Sequence, residues 1–281
     1  MTAVVAEPAT YPEDTEVSPY QTSSRDATGL SNTHGSDAPL LDPLLTLASI
    51  TLDDLERLRI AQENRYRSLT QSGTSESGQE WGFGLDDRDP NVAAAGAIVD
   101  QIKAMEHQAT LHLQKLMRKH PLGPWVKAQK GVGEKQAARL LGVIGDPYIN
   151  SATGHPRTVS QLWAYCGLHT LPATDQYNVA ARRKKGVQAN WNDDAKKRVW
   201  LIANSILKAG GPWREVYDRR KAATEGRVHQ AECVRCGPSG KPAQPGSPWS
   251  DGHRHADALR IMGKELLKGL WRESRRLHQS A

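Results

Sequence analysis

QKGVGEKQAARLLGVIGDP, residues 129–147, is the stretch that decides the fold, and it predicts a helix-hairpin-helix. Gly131 and Gly133 allow a tight turn, because glycine reaches positive φ without steric cost. The run after the turn has the period of a helix, with an apolar face formed by Ala137, Leu140, Leu141 and Ile144. Pro147 ends this helix, since proline cannot continue it.

A turn of this kind presents backbone N–H groups at the start of a helix, where they and the helix dipole attract a phosphate. The sequence therefore predicts a DNA-binding turn made of Lys130, Gly131, Val132, Gly133 and Lys135. Such contacts hold the phosphate backbone and read no base edge. The alternative for two glycines in this spacing is an ordinary tight turn between packed helices.

Three segments occur in a fixed order along the chain. They are GVGEKQAARLLGVIGDP at 131–147, SQLWAYCGL at 160–168 and GHRHADALRIMGKELLKGLW at 252–271. Together they resemble the C-terminal domain of the Piv-type insertion-sequence transposases and DNA invertases, some of which use a bridge RNA. The resemblance covers roughly residues 120–275. It implies a helical DNA-binding domain that acts in transposition or site-specific recombination.

The chain departs from this family at its catalytic parts. The resemblance implies a domain order for full-length members. An RNase H-like domain with four acidic metal ligands comes first, a coiled coil follows, and the hairpin domain with a nucleophilic serine comes last. This chain shows no such acidic domain, and the residues where the serine is expected, HTLPATDQYN at 169–178, contain none. Thr170 and Thr174 have no visible activating partner, and Tyr177 is either an alternative nucleophile or a packing or DNA-contact residue. We therefore predict no catalytic residue.

The charge of the chain is unevenly distributed. The whole sequence carries +6 and residues 1–40 carry −5, six acidic side chains against Arg25, so residues 41–281 carry +11. We expect residues 1–40, rich in Ser, Thr, Pro and acidic side chains, to form a disordered acidic leader. The basic remainder implies a polyanionic partner, usually nucleic acid, and the alternative is a merely soluble basic protein.

The sequence shows no membrane segment, because no apolar run approaches the ~20 residues of a spanning helix. The first residues also lack the basic and apolar regions of a signal peptide. We therefore expect a cytoplasmic protein of a bacterial or phage-infected cell. Three cysteines, two of them spaced C-x-x-C, fit a reducing compartment and a metal site better than a disulfide framework.

Residues 41–120 are predicted to form a helical, coiled-coil region. Thr51 is a candidate N-cap for a helix to about Leu69, and a long helix follows over 92–120. The long helix either lies across a core or forms a coiled coil with residues 52–69 or with a second copy of the chain. Between the helices, Asp86, Asp87 and Asp89 precede Pro90; they fit either a metal site or an N-cap.

Residues 121–278 are predicted to form the transposase-like helix-hairpin-helix domain. Ser160 is a candidate cap for an apolar helix that includes Leu162. A second phosphate-binding patch is predicted at Arg182, Arg183, Lys184 and Lys185, with a solvated loop as the alternative. In the next helix, from Asp193, we expect Trp200 to point inward and Lys196, Lys197 and Arg198 to point outward.

An insertion at about 227–252 has too little apolar content to hold itself together. It contains Cys233 and Cys236 with histidines on either side, and thiolate plus imidazole is a ligand set typical of zinc. We predict a structural zinc site formed by Cys233, Cys236 and two of His229, His253 and His255. The alternative is a flexible loop with free cysteines.

The sequence thus predicts a mainly α-helical protein: a long coiled-coil-like helix, then a helix-hairpin-helix domain with an inserted zinc-knuckle-like loop. We expect a DNA-binding protein of mobile-element or phage type that does not cut DNA alone, such as a factor that controls the direction of a partner recombinase. The alternatives are an active transposase, with an unplaced nucleophile or a partner nuclease chain, and a scaffold that binds protein or RNA. Residues 92–120 are the predicted surface for a homo-oligomer.

Overall fold

A computed structural model of the chain describes residues 40–174, 177–183, 185–234, 236–237 and 241–280. These residues are mainly helical, which confirms the predicted fold class. The helices are α1 (Pro43–Thr70), α2 (Pro90–Lys119), α3 (Gly123–Ala128), α4 (Glu134–Ile144), α5 (Val159–Tyr165), α6 (Asp193–Ala209), α7 (Pro212–Ala223) and α8 (Asp251–Ser280). Residues 1–39 of the predicted leader and Lys184 lie outside the described residues. None of the helices described is long and apolar enough to cross a membrane.

Two antiparallel hairpins accompany the helices. Strand β1 (Ser72–Thr74) pairs with β2 (Glu80–Gly82), and β3 (Thr170–Thr174) pairs with β4 (Tyr177–Ala180). The sequence analysis assigned no strand to either segment. Both hairpins are short, and Pro172 within β3 argues against a strand, because proline cannot donate to the ladder.

Helix α1 begins at Pro43, well before the predicted cap at Thr51, which was wrong. Asp42 is the N-cap, and its side chain accepts the backbone N–H groups of Leu44 and Leu45 at 2.9 and 3.1 Å. Proline suits the first helical position, since its missing N–H would have no intrahelical partner there. Thr51 lies inside the helix, where its hydroxyl donates to the carbonyl of Leu47.

Helices α1 and α2 form an antiparallel pair. Arg59 contacts Glu106, and the Lys103 Nζ lies 3.5 Å from a Glu63 carboxylate oxygen, so positions rise along one helix as they fall along the other. The long helix therefore has α1 as a neighbour, and pairing with a second copy stays a prediction. We call the outer part of this pair, with β1 and β2 at its tip, the helical arm (residues 53–108).

Asp89 is the N-cap of α2 and accepts the N–H of Asn91 at 2.8 Å, which confirms the N-cap interpretation for that residue. The cap of α5 differs from the prediction. Thr158, not Ser160, forms a capping box with Gln161, because the Thr158 side chain accepts the Gln161 N–H and the Gln161 side chain accepts the Thr158 N–H. Ser160 lies within the first turn.

One apolar core runs through the described helices and includes side chains from α1, α2, α4, α6 and α8. It also contains two arginines, Arg139 on α4 and Arg198 on α6, each 2% exposed. Both pair with Asp53 of α1, so the expectation that Arg198 points outward was wrong. Trp200 was also placed wrongly, since it is 55% exposed on the outer face of α6.

The G-D-P turn after α4 anchors the hairpin to α8. The fully buried carboxylate of Asp146 accepts the backbone N–H of Tyr148 and the hydroxyl of Ser274, both at 2.8 Å, and lies 2.5 Å from His278 Nε2. Arg157 donates to the carbonyl of Ile144 at 2.9 Å and so binds the C-terminal end of α4. These contacts anchor the C-terminal end of α4, whereas the predicted phosphate site lies at its N-terminal end.

Candidate nucleic-acid interface and metal centre

The predicted helix-hairpin-helix consists of α3, a turn and α4. Gly131 has φ +86°, whereas Gly133 has φ −77° and is the N-cap of α4. The two glycines serve different purposes. A Cβ on Gly131 would lie 2.7 Å from the Ile206 Cα, so this glycine lets the turn pack closely on α6, while a Cβ on Gly133 would meet open space.

The start of α4 has the features of an anion site. In the described part of the chain, no acceptor meets the backbone N–H groups of Gly133, Glu134 and Lys135. The N–H of Val132 differs, because it donates to the carbonyl of Gln129 at 3.1 Å. Open N–H groups at a helix start carry partial positive charge and favour a phosphate.

The two lysines predicted at this turn are in different surroundings. Lys130 is exposed, whereas the Lys135 Nζ lies 2.8 Å from a Glu56 carboxylate oxygen. Burial raises the pKa of Glu56, but hydrogen bonds from Arg139 and Lys135 outweigh it and lower that pKa to about 2. Glu56 is therefore ionised at neutral pH and offsets much of the charge that Lys135 would offer to a phosphate.

The second predicted patch follows β4. Arg182, Arg183 and Lys185 are exposed, and an Arg183 guanidinium nitrogen lies 2.8 Å from an Asp193 carboxylate oxygen at the first residue of α6. The hairpin turn lies at the other end of α6, against Ile206. A helix of 17 residues is about 25 Å long, so the structure does not gather the two patches into one cluster.

The predicted metal ligands do come together. Four donor atoms, one each from His229, Cys233, Cys236 and His253, all lie within 4.8 Å of one another. The His253 Nδ1 lies 3.5 Å from the Cys233 Sγ and 3.3 Å from the Cys236 Sγ. Zinc bonds of about 2.3 Å to sulfur and about 2.0 Å to nitrogen set donor–donor separations of roughly 3.3–3.8 Å in a tetrahedron. This cluster could therefore hold a metal ion.

His255 has a different role from the one offered in the sequence analysis. Its Nδ1 lies 2.7 Å from the hydroxyl of Tyr217, and the two rings pack edge to face. His253 and His255 are two positions apart on α8 and so face different sides of the helix. Of the three candidate histidines, His229 and His253 lie in the cluster with the cysteines.

Backbone pairing in the insertion brings the ligands together. Cys233 and Ala243 exchange two backbone hydrogen bonds of 2.9 and 2.8 Å, and the His229 N–H donates to the carbonyl of Ser247 at 2.8 Å. His253 lies in the first turn of α8. The cluster therefore joins the insertion to the start of α8, a helix of 30 residues.

Trp249 and Ser250 contact the side chains of the cluster and orient them. The ring of Trp249 stacks on the His253 imidazole at 4.1 Å, with 5° between the planes. The Ser250 hydroxyl lies 3.1 Å from the Cys236 Sγ and accepts the His253 N–H at 3.2 Å. A hydroxyl donor of this kind stabilises a metal-bound thiolate.

His229 fits the same centre. It is 3% exposed, and burial lowers its pKa, which favours the neutral imidazole that a metal requires. Its Nε2 is buried, and the described structure provides no hydrogen-bond partner for it. An unpaired buried nitrogen is costly, and a metal bond would satisfy it.

Residues 169–178, where the resemblance predicts a serine, contain threonines, a histidine and a tyrosine instead. Tyr177 is half-buried in β4, and Thr170 is exposed at the start of β3. His169, just before β3, lies edge to face with Trp191, and burial together with the charges of Lys196 and Lys264 lowers its pKa. None of the hydrogen bonds between described side chains involves the Tyr177 hydroxyl.

Comparisons with known proteins support the motif resemblance in part. No family model matches the chain. The chain is similar to the insertion element IS110 uncharacterised 43.6 kDa protein of Streptomyces coelicolor, with 30% identity over 147 residues, which are 52% of this chain and 33% of that protein. The match thus spans about a third of the relative's length. It supports a relationship to the proteins of insertion elements.

Proposed function

We propose that this chain binds duplex DNA in transposition or site-specific recombination. The observation that supports this most directly is the open start of α4, where no acceptor in the described structure meets the N–H groups of Gly133, Glu134 and Lys135. Lys130, three residues before Gly133 in the sequence, is exposed. The likeness to an insertion-element protein gives such a phosphate site a biological setting. The net charge of +11 over residues 41–281 favours the same partner.

We further propose that the chain acts without cutting DNA, as an accessory factor to a recombinase. Residues 169–178 contain no serine, and among the described side chains none forms a hydrogen bond with the Tyr177 hydroxyl. A factor that binds phosphates without reading bases could set the direction in which a partner enzyme works on DNA. A nicking assay that found activity dependent on the Tyr177 hydroxyl would instead favour the transposase alternative.

We also propose that zinc occupies the Cys₂His₂ centre and has a structural role. Four protein ligands fill a tetrahedral shell and leave no position for a substrate or a water molecule. The insertion buries few apolar side chains, so the metal bonds would supply much of its stability.

The test of DNA binding uses Gly133, where a side chain meets open space. In the Gly133→Asp variant the new carboxylate caps the helix and occupies the phosphate position, so the fold stays stable while affinity for duplex DNA falls. Gly133→Ala is the matched control, because it leaves the N–H groups open and adds no charge. Binding is measured by anisotropy of a labelled duplex at several salt concentrations.

Affinity that falls about tenfold or more in Gly133→Asp, with Gly133→Ala close to the unmodified protein, supports a phosphate site at this turn. Equal affinities for all three proteins would mean that DNA is held elsewhere. An intact protein that binds no nucleic acid at any salt concentration would remove the proposed function altogether.

A further inference from the structure

Helix α6 has a solvent face that connects the two predicted phosphate patches. Its buried side chains, Ala195, Arg198, Val199, Ile202, Ala203 and Ile206, all face the core. Lys197, Trp200, Asn204 and Lys208 follow one another at steps of three and four residues, so they share the opposite face. We call this set the outer face of α6.

Trp200 is the unusual member of this face. It is 55% exposed and is the one large apolar side chain exposed on α6. Other tryptophans, namely Trp163, Trp191, Trp213 and Trp271, donate their indole N–H to protein acceptors. Among the described residues, neither such an acceptor nor an aromatic or cationic partner meets the Trp200 ring. Its ring is therefore open to a ligand.

The charges around Trp200 favour an anionic partner. Lys197 and Lys208 are exposed, and the described structure pairs neither with a carboxylate. Lys130 packs against Gly211, just beyond the C-terminal end of α6, and Arg183 contacts Asp193 at its N-terminal end. Cations thus lie on both sides of the tryptophan and at both ends of the helix.

The size of the apolar surface argues against a protein partner. A tryptophan buries about 150–250 Å² at most, whereas a stable protein interface needs about 800 Å² on each side. A single aromatic ring between lysines matches the way proteins bind single strands, where a base stacks on the ring and cations hold the phosphates. Bases in an intact duplex already stack on each other and do not reach such a ring.

We infer that the outer face of α6 binds single-stranded nucleic acid, with Lys197 and Lys208 on backbone phosphates and Trp200 stacked on an unpaired base. The inference rests on the proposed function for the class of partner and adds the form of the nucleic acid. Unpaired bases arise when DNA strands are separated or exchanged, and also in an RNA loop. Asn204, the polar neutral member of this face, donates to the backbone carbonyl of Trp200 at 2.8 Å.

The test compares Trp200→Ala with Trp81→Ala. Trp81 is a matched control, because it is 49% exposed but lies on β2 at the tip of the helical arm. The probes are a labelled 20-nucleotide oligo-dT and a labelled duplex of the same length. Trp200→Ala weakens oligo-dT binding by about 5- to 100-fold, as loss of one base–aromatic stack does, and changes duplex binding far less. Trp200→Phe restores most of the affinity, and Trp81→Ala changes neither probe.

The lysines have a separate signature. The double variant Lys197→Gln, Lys208→Gln reduces the salt slope for oligo-dT by about 1.4, since each single-strand phosphate contact contributes about 0.7. Thermal melts check that all variants stay folded, which is the expected result for exposed positions.

Oligo-dT binding that is unchanged in Trp200→Ala, or a loss that is equal for oligo-dT and duplex, would overturn the inference. If the intact protein binds duplex but not oligo-dT, the inference fails while the proposed function stands. If it binds neither probe, both fail.

Discussion

A guanidinium nitrogen of Arg198 on α6 donates to both carboxylate oxygens of Asp53 on α1, at 2.7 Å each. Arg139 on α4 contacts the same carboxylate and also donates to both oxygens of Glu56. One acidic segment of α1 therefore joins the hairpin helix to α6.

Asp53→Asn should destabilise the fold by about 3–5 kcal/mol, because it leaves two buried arginines without their shared counter-charge. Urea denaturation followed by circular dichroism measures the change. Asp54→Asn is the control: this neighbouring carboxylate pairs with Arg57 on the surface and should contribute at most about 0.5 kcal/mol. Similar losses in the two variants would mean that the buried network contributes little.

Glu56 should make stability depend on acid pH. Its pKa is about 2 in the folded protein against 4.5 for the unperturbed group, so the unfolded state binds its proton first. Its contribution is complete above about pH 4.5 and is lost as the pH falls from there towards about 2. Unfolding free energies measured at steps from pH 6 to pH 3 should fall less steeply in Glu56→Gln than in the unmodified protein. Parallel curves would contradict the shift.

The two glycines of the hairpin turn should respond differently to alanine. Gly131→Ala should cost about 1–3 kcal/mol, since it strains a φ of +86° and presses a Cβ against Ile206. Gly133→Ala should change stability by less than about 0.5 kcal/mol, because the gain in the unfolded chain offsets the poorer cap. Thermal melts of both proteins decide this. If Gly133→Ala is the more damaging change, the packing assigned to Gly131 is wrong.

The metal centre should be sensitive to His253 and insensitive to His255. The purified protein is expected to contain one zinc ion per chain, and His253→Ala should lose most of it, whereas His255→Ala should retain it. Elemental analysis measures the content, and visible absorption of the cobalt-substituted protein reports tetrahedral thiolate ligation. Equal zinc content in the two variants would exclude His253 as a ligand.

Local sequence patterns predicted much of this molecule correctly. The helices over 90–119 and 134–144 followed from their apolar period, and the hairpin turn followed from its two glycines. The C-x-x-C pair and its neighbouring histidines also predicted which residue types come together in the His/Cys cluster; metal binding there stays a prediction. Asp42 and Pro43 also form a helix start that is readable in the sequence, a capping side chain before a first-turn proline, although the predicted cap was Thr51.

Long-range contacts explain what the sequence could not predict. Arg198 is buried because it pairs with Asp53, which lies 145 positions away in the sequence. Trp200 is exposed because the core lies on the opposite side of α6. The choice between His253 and His255 depends on how α8 is rotated against α7 and the insertion. None of these relationships can be predicted from the residues that neighbour each position in the sequence.

The pairing of α1 with α2 gives the helical arm a fixed length. Helix α2 has 30 residues and so a length of about 45 Å, and it leads at its inner end into α3 and the hairpin turn. Since Asp53 and Glu56 lock α1 to α4, the arm cannot swing without breaking buried ion pairs. The tip of the arm, with exposed Trp81 and Phe83, is therefore kept at a set distance from the start of α4.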